Sequence, residues 1–311
     1  MKQLRLFSLA CFFAAFLPGV SILAQVGTSL LAQPGTAYSA DVERWHAKRV
    51  ETLRAPNGWL NLVGLYWLDE GRNSFGSSPE NKIVFPAGSI AGTAGYFERN
   101  GTTVKLIVAE HVGITIADQP VKEAIIFDKD SQRPPVLASG SLRWTIIRRD
   151  DKIGIRLRDL NSPLVTSFKD IDRYPVDTAW LIRAVFQPSP VPGSIAITNI
   201  IGQTSAQHSP GKLVFTVGSR QFTLDALEEG DEFFILFGDG TNGKTTYPSG
   251  RFISVARPST ADNSTLIDFN KAYNPPCAFT NYATCPLPPK QNVLPIDVEA
   301  GEKNFGHHSL K

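Results

Sequence analysis

The sequence lacks the features that identify several common classes of protein. It has no internal repeat of fixed period, no Gly-x-Ser-x-Gly, His-Glu-x-x-His or P-loop motif, and no long Gly- and Ser-rich stretch in its middle. The missing repeat argues against propellers and solenoids. The missing motifs leave serine hydrolase, metalloprotease and nucleotide-binding functions without local support. Because no linker divides the chain, we expect one continuous folded unit.

Long apolar runs are also scarce, and the one that stands out lies at the N-terminus. Two basic residues precede an apolar run over residues 6–24, which is the layout of a signal peptide. We predict cleavage after Ala24, which removes residues 1–24. A membrane anchor is the alternative, but Pro18 and Gly19 break the run before the roughly 20 apolar residues of a spanning helix accumulate.

An excess of charge of one sign is absent from the mature chain. The signal peptide contains Lys2 and Arg5 of the 31 basic residues and none of the 29 acidic ones, so 29 of each remain. Without a basic field we expect no binding to nucleic acid or to an anionic membrane. The protein is therefore predicted to be periplasmic or secreted, with no stable membrane anchor after cleavage.

Cysteine is rare, with 3 in the whole sequence, and removal of the signal peptide takes away Cys11. The two that remain, Cys277 and Cys285, are an even number in an oxidising compartment, which predicts a disulfide between them. Metal coordination by the two thiols is the alternative, but neither a Cys-x-x-Cys spacing nor a neighbouring histidine supports it. We expect no metal site and no cofactor.

The N-terminal part of the mature chain predicts a tether and one helix. Residues 25–38 carry no charge and no clear period, as is usual in a flexible tether. Ser39 then suits an N-cap, acidic residues occupy the first turn, and an apolar stripe continues up to a Pro-Asn-Gly sequence. This pattern predicts a helix over about residues 40–54.

The rest of the chain consists of short strand-like runs separated by turn residues. Short runs alternate between apolar and polar residues with a period of two, which indicates sheet. Asn100-Gly101 and Asp150-Asp151 each separate two such runs, as hairpin turns do. Clusters of Gly, Pro and Asp recur between the runs at the short spacing that is typical of turns in a β-sandwich or barrel. We predict an all-β fold, sandwich or barrel-like, with one N-terminal α-helix, in a single β-rich domain over residues 39–311.

Six blocks near the C-terminus carry a family resemblance. They are Asp-x-Thr-x-Gly-x-x-Thr-Tyr, Gly-Arg-Phe, Asp-Phe-Asn-x-Ala-Tyr-Asn-Pro-Pro-Cys, Cys-Pro-Leu-Pro-Pro, a lone Asn and Gly-Glu-Lys, at residues 239–247, 250–252, 268–277, 285–289, 292 and 301–303. These blocks resemble the bacterial and archaeal family named domain of unknown function 1684 (DUF1684), and looser similarity extends over most of residues 57–303. The chain is identified as an exported bacterial member. The resemblance implies no activity, because none is assigned to the family.

The density of polar residues in these blocks predicts a pocket for a small polar ligand. Rigid polar loops often hold binding sites. The predicted ligand-binding residues are Asp239, Thr241, Thr246, Tyr247, Arg251, Asp268, Asn270, Tyr273, Asn274 and Glu302. The same residues can instead build turns or seal one end of a barrel with structural hydrogen bonds. A calcium loop at the Asp-x-Thr-x-Gly turn is disfavoured, since further carboxylates for an oxygen cage are missing.

Two other functions remain open at this point. The first is a hydrolase of envelope or extracellular substrates, in which Asp239 or Asp268 is the base and Arg251 stabilises negative charge. His208, in a polar segment read as a loop, is a further acid-base candidate. The second is a purely structural envelope protein without a ligand. Enzymatic activity is therefore left undecided by the sequence.

Overall fold

A computed structural model describes residues 34–258 and 262–306. Those residues form three β-sheets, two α-helices and four short 3-10 helices. The helices are α1 (Pro34–Arg54) and α2 (Pro163–Ser167), and the 3-10 helices are Thr178–Trp180, Phe269–Lys271, Pro276–Ala278 and Lys290–Asn292. The strands are β1 (Leu62–Trp67), β2 (Gly71–Gly76), β3 (Ile83–Val84), β4 (Gly95–Asn100), β5 (Thr103–Val108), β6 (Thr115–Ile116), β7 (Gln119–Pro120), β8 (Glu123–Phe127), β9 (Leu137–Ser139), β10 (Leu142–Arg149), β11 (Lys152–Asp159), β12 (Leu181–Thr198), β13 (Thr204–Val217), β14 (Arg220–Glu229), β15 (Glu232–Phe237), β16 (Arg251–Ala256) and β17 (Ser264–Asp268).

Helix α1 is confirmed, but it begins earlier than the sequence predicts. It starts at Pro34, so residues 34–38 are helical rather than part of a tether. Ser39 is inside the helix, where its hydroxyl donates to the carbonyl of Gly35 at 2.9 Å, and it is therefore not the N-cap. The predicted signal peptide and residues 25–33 lie outside the described residues. Within the described part, no helix is both long and apolar enough to cross a membrane.

The first two sheets form a β-sandwich. One has the strand order β1-β11-β10-β9-β6-β7 and the other the order β3-β2-β4-β5-β8. Alternate residues of each sheet point inward to a shared apolar core, in which Phe75 and Phe97 face Trp144 and Ile155. Both predicted hairpins lie in this region, because Asn100 pairs with Thr103 across one turn and β10 pairs with β11 across the other.

The third sheet is nearly closed into a barrel. Its order is β16-β15-β14-β13-β12-β17, and its two edge strands approach each other, with the Thr265 hydroxyl of β17 donating to the carbonyl of Ala256 in β16 at 2.7 Å. A second apolar core, which includes Phe237 and Phe269, fills the interior. The expectation of a mostly β fold with barrel-like closure and a single long N-terminal helix is therefore confirmed.

A third apolar cluster joins helix α1 to the C-terminal segment. It contains Leu53 of the helix, Tyr247, Phe279 and both cysteines. The segment after β17 has no long element of its own and runs over the barrel and under the helix, with Tyr273 bridging to Phe252 of β16. The polar blocks of the tail thus lie where the helix, the barrel and the last residues of the described chain meet.

Candidate functional site

The most deeply buried polar contact is an ion pair between Asp239 and Arg251. Asp239 follows β15 and Arg251 begins β16, so the loop between the two strands brings them together, with Nη2 of Arg251 2.8 Å from Oδ2 of Asp239. Both side chains are fully excluded from solvent. Burial lowers the pKa of the Arg251 guanidinium from its usual value, and the Asp239 carboxylate opposes this by stabilising the charged form.

The rest of the guanidinium binds main-chain carbonyls of the C-terminal segment. Nη2 donates to the carbonyl of Val298 at 2.9 Å, and Nη1 donates to the carbonyls of Ala300 and Glu302. Gly301 lies between these acceptors with φ of +75°, and a Cβ there would be 2.5 Å from the carbonyl oxygen of Ala272. Arg251 therefore fixes the path of the final segment, and the Gly-Glu-Lys block needs glycine for steric reasons.

The threonines of the first block surround the same carboxylate. Oδ1 of Asp239 accepts from the amide and the hydroxyl of Thr241, at 2.8 and 2.5 Å. The Thr241 hydroxyl also contacts that of Thr246 at 2.7 Å, and Asn242 donates to Thr246 and to the carbonyl of Tyr247. Tyr247 is buried in the third apolar cluster, and burial raises the pKa of its phenol. These polar groups satisfy one another, as buried polar groups must.

Glu302, in the C-terminal segment, binds Arg49 of helix α1. Its side chain is 1% exposed; Oε1 accepts from Nε of Arg49 at 3.1 Å, and Oε2 accepts from the amide of Asn274 at 2.7 Å. Arg49 also donates to the carbonyl of Asn274 and lies over the ring of Tyr273 at 4.7 Å. Three predicted site residues thus contact one arginine of the helix.

Asp268 and Asn270 form a further cluster with the beginning of helix α1. The Tyr38 hydroxyl donates to Oδ1 of Asp268 at 2.6 Å and accepts from Nδ2 of Asn270 at 2.9 Å. Burial, followed by the hydrogen bond to Asp268, raises the pKa of Tyr38 above its ordinary value. Lys271 links this cluster to the helix surface through Asp41 at 2.8 Å.

The predicted site residues therefore do not line one shared pocket. Asp239, Thr241, Thr246 and Arg251 are buried in a network of mutual contacts, in which only Nε of Arg251 lacks a described acceptor. Asp268 and Tyr273, in contrast, reach an open groove of about 670 Å³. The groove runs between helix α1 and the edge of the barrel. It is lined by Tyr38, Asp41, Trp45, Lys48, Arg49, Thr52, Leu181, Glu232, Ser254, Ala256, Leu266, Asp268, Lys271 and Tyr273.

Sequence reasoning missed the contribution of helix α1 to this groove. Tyr38, Asp41, Trp45, Arg49 and Thr52 recur three or four positions apart and therefore share one face of the helix. The mixture of aromatic, acidic and basic side chains on that face was the available signal, because a purely solvent-facing stripe has no need of aromatic residues.

His208 is in a strand, so the expectation of a loop is wrong. It belongs to β13 and pairs with Ser194 of β12. Its Nδ1 is 2.8 Å from Oε2 of Glu228, in a second groove of about 580 Å³ that also contains Arg148 and Arg149. The hydrogen bond from Arg257 lowers the pKa of Glu228, and His208 acts in the same direction.

The two remaining cysteines lie at disulfide-bonding distance, as the sequence predicts. The Cα atoms of Cys277 and Cys285 are 6.1 Å apart, and both residues are buried in the third apolar cluster. Among residues 34–258 and 262–306, no group of three or more His, Cys, Asp or Glu side chains is placed to hold a metal ion.

Comparison with other proteins identifies a family region. Residues 166–303 match a family described as "Protein of unknown function (DUF1684)", which confirms the resemblance over that range. No curated protein matches the chain. Among solved structures, an uncharacterized protein of Haloarcula marismortui, determined by NMR in solution, is 26% identical, with 46% of this chain and 80% of that chain covered and a TM-score of 0.39. The family match begins after the sandwich and takes in the barrel and the C-terminal segment.

Proposed function

We propose that the protein is exported, as its N-terminal sequence predicts, and that it binds a small polar ligand in the groove between helix α1 and the barrel. Residues 166–303 match DUF1684, whose description assigns no function, so the proposal of a ligand is argued from the geometry. The groove, rather than the buried Arg251 network, is the place for a ligand. Its volume of about 670 Å³ falls in the range usual for small-molecule sites.

The observation that carries this proposal is the charge pattern of the groove walls. The lining residues include the basic Lys48 and Lys271 and the acidic Asp41, Asp268 and Glu232. Groups of both signs close together favour a ligand that offers hydrogen-bond donors and acceptors alike, such as a saccharide or an amino acid derivative. A purely apolar ligand would displace water from these groups without offering them hydrogen bonds of its own.

Two aromatic side chains give the groove an apolar wall. Trp45 and Tyr273 have ring centroids 6.3 Å apart and both line the groove. Arg49, stacked on Tyr273, holds the ring in place. Aromatic faces beside charged groups suit the apolar face of a sugar ring or a similar flat surface.

The proposal is tested by screening sugars, amino acids, short peptides and nucleosides for an increase in melting temperature of residues 25–311. A ligand of the groove stabilises the folded state by mass action. Its shift should fall at least several-fold in Trp45→Ala and Asp268→Asn proteins. It should persist in Asp130→Asn, which removes an exposed carboxylate of the sandwich region. A ligand whose shift is unchanged in both groove variants contradicts the assignment, as does a screen in which nothing shifts the wild-type protein.

A second candidate function is hydrolysis at the groove that contains His208. The Glu228 carboxylate at Nδ1 orients the imidazole and leaves Nε2 available as a base. Arg148 and Arg149 line the same groove and can stabilise a developing negative charge. Asp239 and Arg251, in contrast, are fully buried and therefore out of reach of substrate.

Turnover of generic ester and phosphoester substrates tests this second function. Activity that disappears in His208→Gln and persists in His111→Gln, a variant at an exposed histidine, supports it. Equal activity in the two variants eliminates His208 as the base.

A further inference from the structure

One face of the β-sandwich carries a cluster of arginines. Arg156 and Arg158 are on β11, and Arg149 is at the end of β10. The antiparallel register pairs Arg149 with Lys152, Arg156 with Thr145 and Arg158 with Arg143. All three arginines therefore lie on the face opposite the apolar core, with Arg149 four positions along the strand pair from Arg156. The C-terminal segment packs against the same face, since Nε of Arg149 donates to the Thr284 hydroxyl at 3.2 Å.

Arg156 differs from its neighbours in having no hydrogen-bond acceptor. Arg158 donates to the Asn61 side chain at 2.8 Å and to the carbonyl of Gly58. Arg156 is half-buried, its Nε is excluded from solvent, and no described residue accepts a hydrogen bond from it. Its contact is with an aromatic ring: the guanidinium carbons of Arg156 and Arg158 lie 5.3 and 5.7 Å from the centre of the Trp59 ring.

The cluster has positive charge without a counter-charge. No described Asp or Glu lies within ion-pair distance of Arg149, Arg156 or Arg158. Burial, reinforced by repulsion from Arg149 and then Arg158, lowers the pKa of Arg156 to about 10. A guanidinium in this setting loses hydration without gaining a partner, and an anion would supply one.

The buried Arg251 shows how the same chain treats an arginine with a structural role. Both Nη atoms of Arg251 have acceptors, namely one carboxylate and three carbonyl oxygens, although its Nε has none. Arg72 is stacked on Tyr96 much as Arg156 is on Trp59, but it also has Glu98 at 3.6 Å. The absence of any such acceptor at Arg156 therefore distinguishes it from the chain's structural arginines.

We propose that Arg149, Arg156 and Arg158, beside Trp59, form a binding site for a dianionic oxyanion of the phosphate class. Three guanidinium groups offer donors in planar arrays that match the oxygens of such a group. Their uncompensated charge favours a dianion over a monoanion. The site is on the sandwich and is separate from the groove beside helix α1, so its test is independent of the ligand proposed there. Arg149 also lines the His208 groove, whereas Arg156 does not, so the Arg156 variant distinguishes this site from that groove.

The test measures the melting temperature and the binding of inorganic phosphate by titration calorimetry, with acetate and chloride compared at equal ionic strength. We expect phosphate to raise the melting temperature, acetate to do so less, and chloride to have no effect beyond screening. At ten times the dissociation constant, phosphate should increase the ratio of folded to unfolded protein about 11-fold. Phosphate on a larger molecule, including a lipid headgroup, is distinguished by competition with free inorganic phosphate.

Arg156→Gln should abolish the phosphate effect, and Arg149→Gln should weaken phosphate binding several-fold without preventing folding. Arg72→Gln is the matched control, because it removes an arginine that is stacked on an aromatic ring and also paired with an acid. Equal effects of phosphate and chloride, or a phosphate effect that survives in both Arg156→Gln and Arg149→Gln, overturn the proposal.

Discussion

At the scale of single residues, Arg251 shows how a charged side chain can be central to a fold without touching a ligand. Its ion pair with Asp239 and its bonds to three carbonyls join strands β15 and β16 to the last residues of the described chain. A buried pair of this kind does not guarantee a net gain in stability, but loss of one member leaves the other charge buried and unpaired.

We therefore predict that Arg251→Met destabilises the protein by about 3–5 kcal/mol, the usual cost of breaking a buried ion pair. The free energy of unfolding in urea measures this loss. Arg257→Met is the matched control, since Arg257 pairs with Glu228 at an exposed position and surface pairs contribute little. Equal losses in the two variants would contradict a structural role for Arg251.

Tyr273 provides a second prediction at this scale, concerning pH. Burial raises the pKa of its phenol to about 12, although the charge of Arg49 acts against this. Between pH 10 and 12 the unfolded chain loses the phenolic proton and the folded chain keeps it, so stability falls as pH rises.

The expected contribution of Tyr273 is about 1 kcal/mol lost between pH 9 and pH 11, from a shift of about two pKa units. Urea unfolding at the two pH values measures it, and Tyr273→Phe should show a correspondingly smaller loss. Tyr282→Phe, at an exposed position, should keep the wild-type dependence. If Tyr273→Phe loses as much stability as wild type between pH 9 and pH 11, ionisation of Tyr273 is not the cause of the loss.

At the scale of elements, helix α1 is held by polar contacts spread along its length. Tyr38, Asp41, Glu43 and Arg49 contact Asp268, Lys271, Arg173 and Glu302 respectively. Most of these partners belong to the tail blocks or to residues beside them. The blocks that first indicated a ligand pocket therefore also dock the helix. These contacts fix the position of helix α1 beside the barrel, and the groove lies between the two.

We predict that Arg49→Met loosens helix α1, because Glu302 is then left as a buried carboxylate without its charged partner. Amide hydrogen exchange in residues 34–54 should become faster, and the melting temperature should fall. Arg44→Met is the control, since Arg44 is exposed and pairs with Asp41 in the same helix. If exchange over the helix is the same in both variants, docking does not depend on the Arg49–Glu302 pair.

At the scale of the whole molecule, the chain combines a sandwich and a barrel, each with its own apolar core. Helix α1 precedes the sandwich in sequence but contacts the barrel and its C-terminal segment. The family region therefore depends on a helix from outside residues 166–303 for part of its polar surface. This arrangement places the proposed groove between distant parts of the chain.

Export is the prediction that belongs to this scale. Expressed in a bacterium with its full N-terminus, the protein should appear in the periplasm or the medium with a mass that corresponds to residues 25–311. Mass spectrometry of the purified protein measures the cleavage point. Replacing Leu9 and Phe12 in the apolar run by Asp should retain the uncleaved chain in the cytoplasm. An uncleaved wild-type protein of full mass contradicts the proposed processing.

The sequence by itself determined what depends on neighbours along the chain. The turn at Asn100-Gly101 follows from residues that accept positive φ, and the alternation in β10 and β11 follows from one face being buried. The main helix was also predictable, apart from its first turns, which have no distinctive cap. These features are local, so the residues within one or two turns contain the information that specifies them.

Only the tertiary structure decided which polar residues are buried, paired or open to solvent. Asp239 and Asp268 both occur in polar blocks of the sequence. Asp239 is fully buried in an ion pair with Arg251, whereas Asp268 faces the groove beside helix α1. Arg156 is one of many arginines in the sequence, and its lack of an acceptor appears only when β11, Trp59 and the C-terminal segment are assembled. Burial and charge compensation are set by segments far apart in the chain, and no local pattern records which of them will meet.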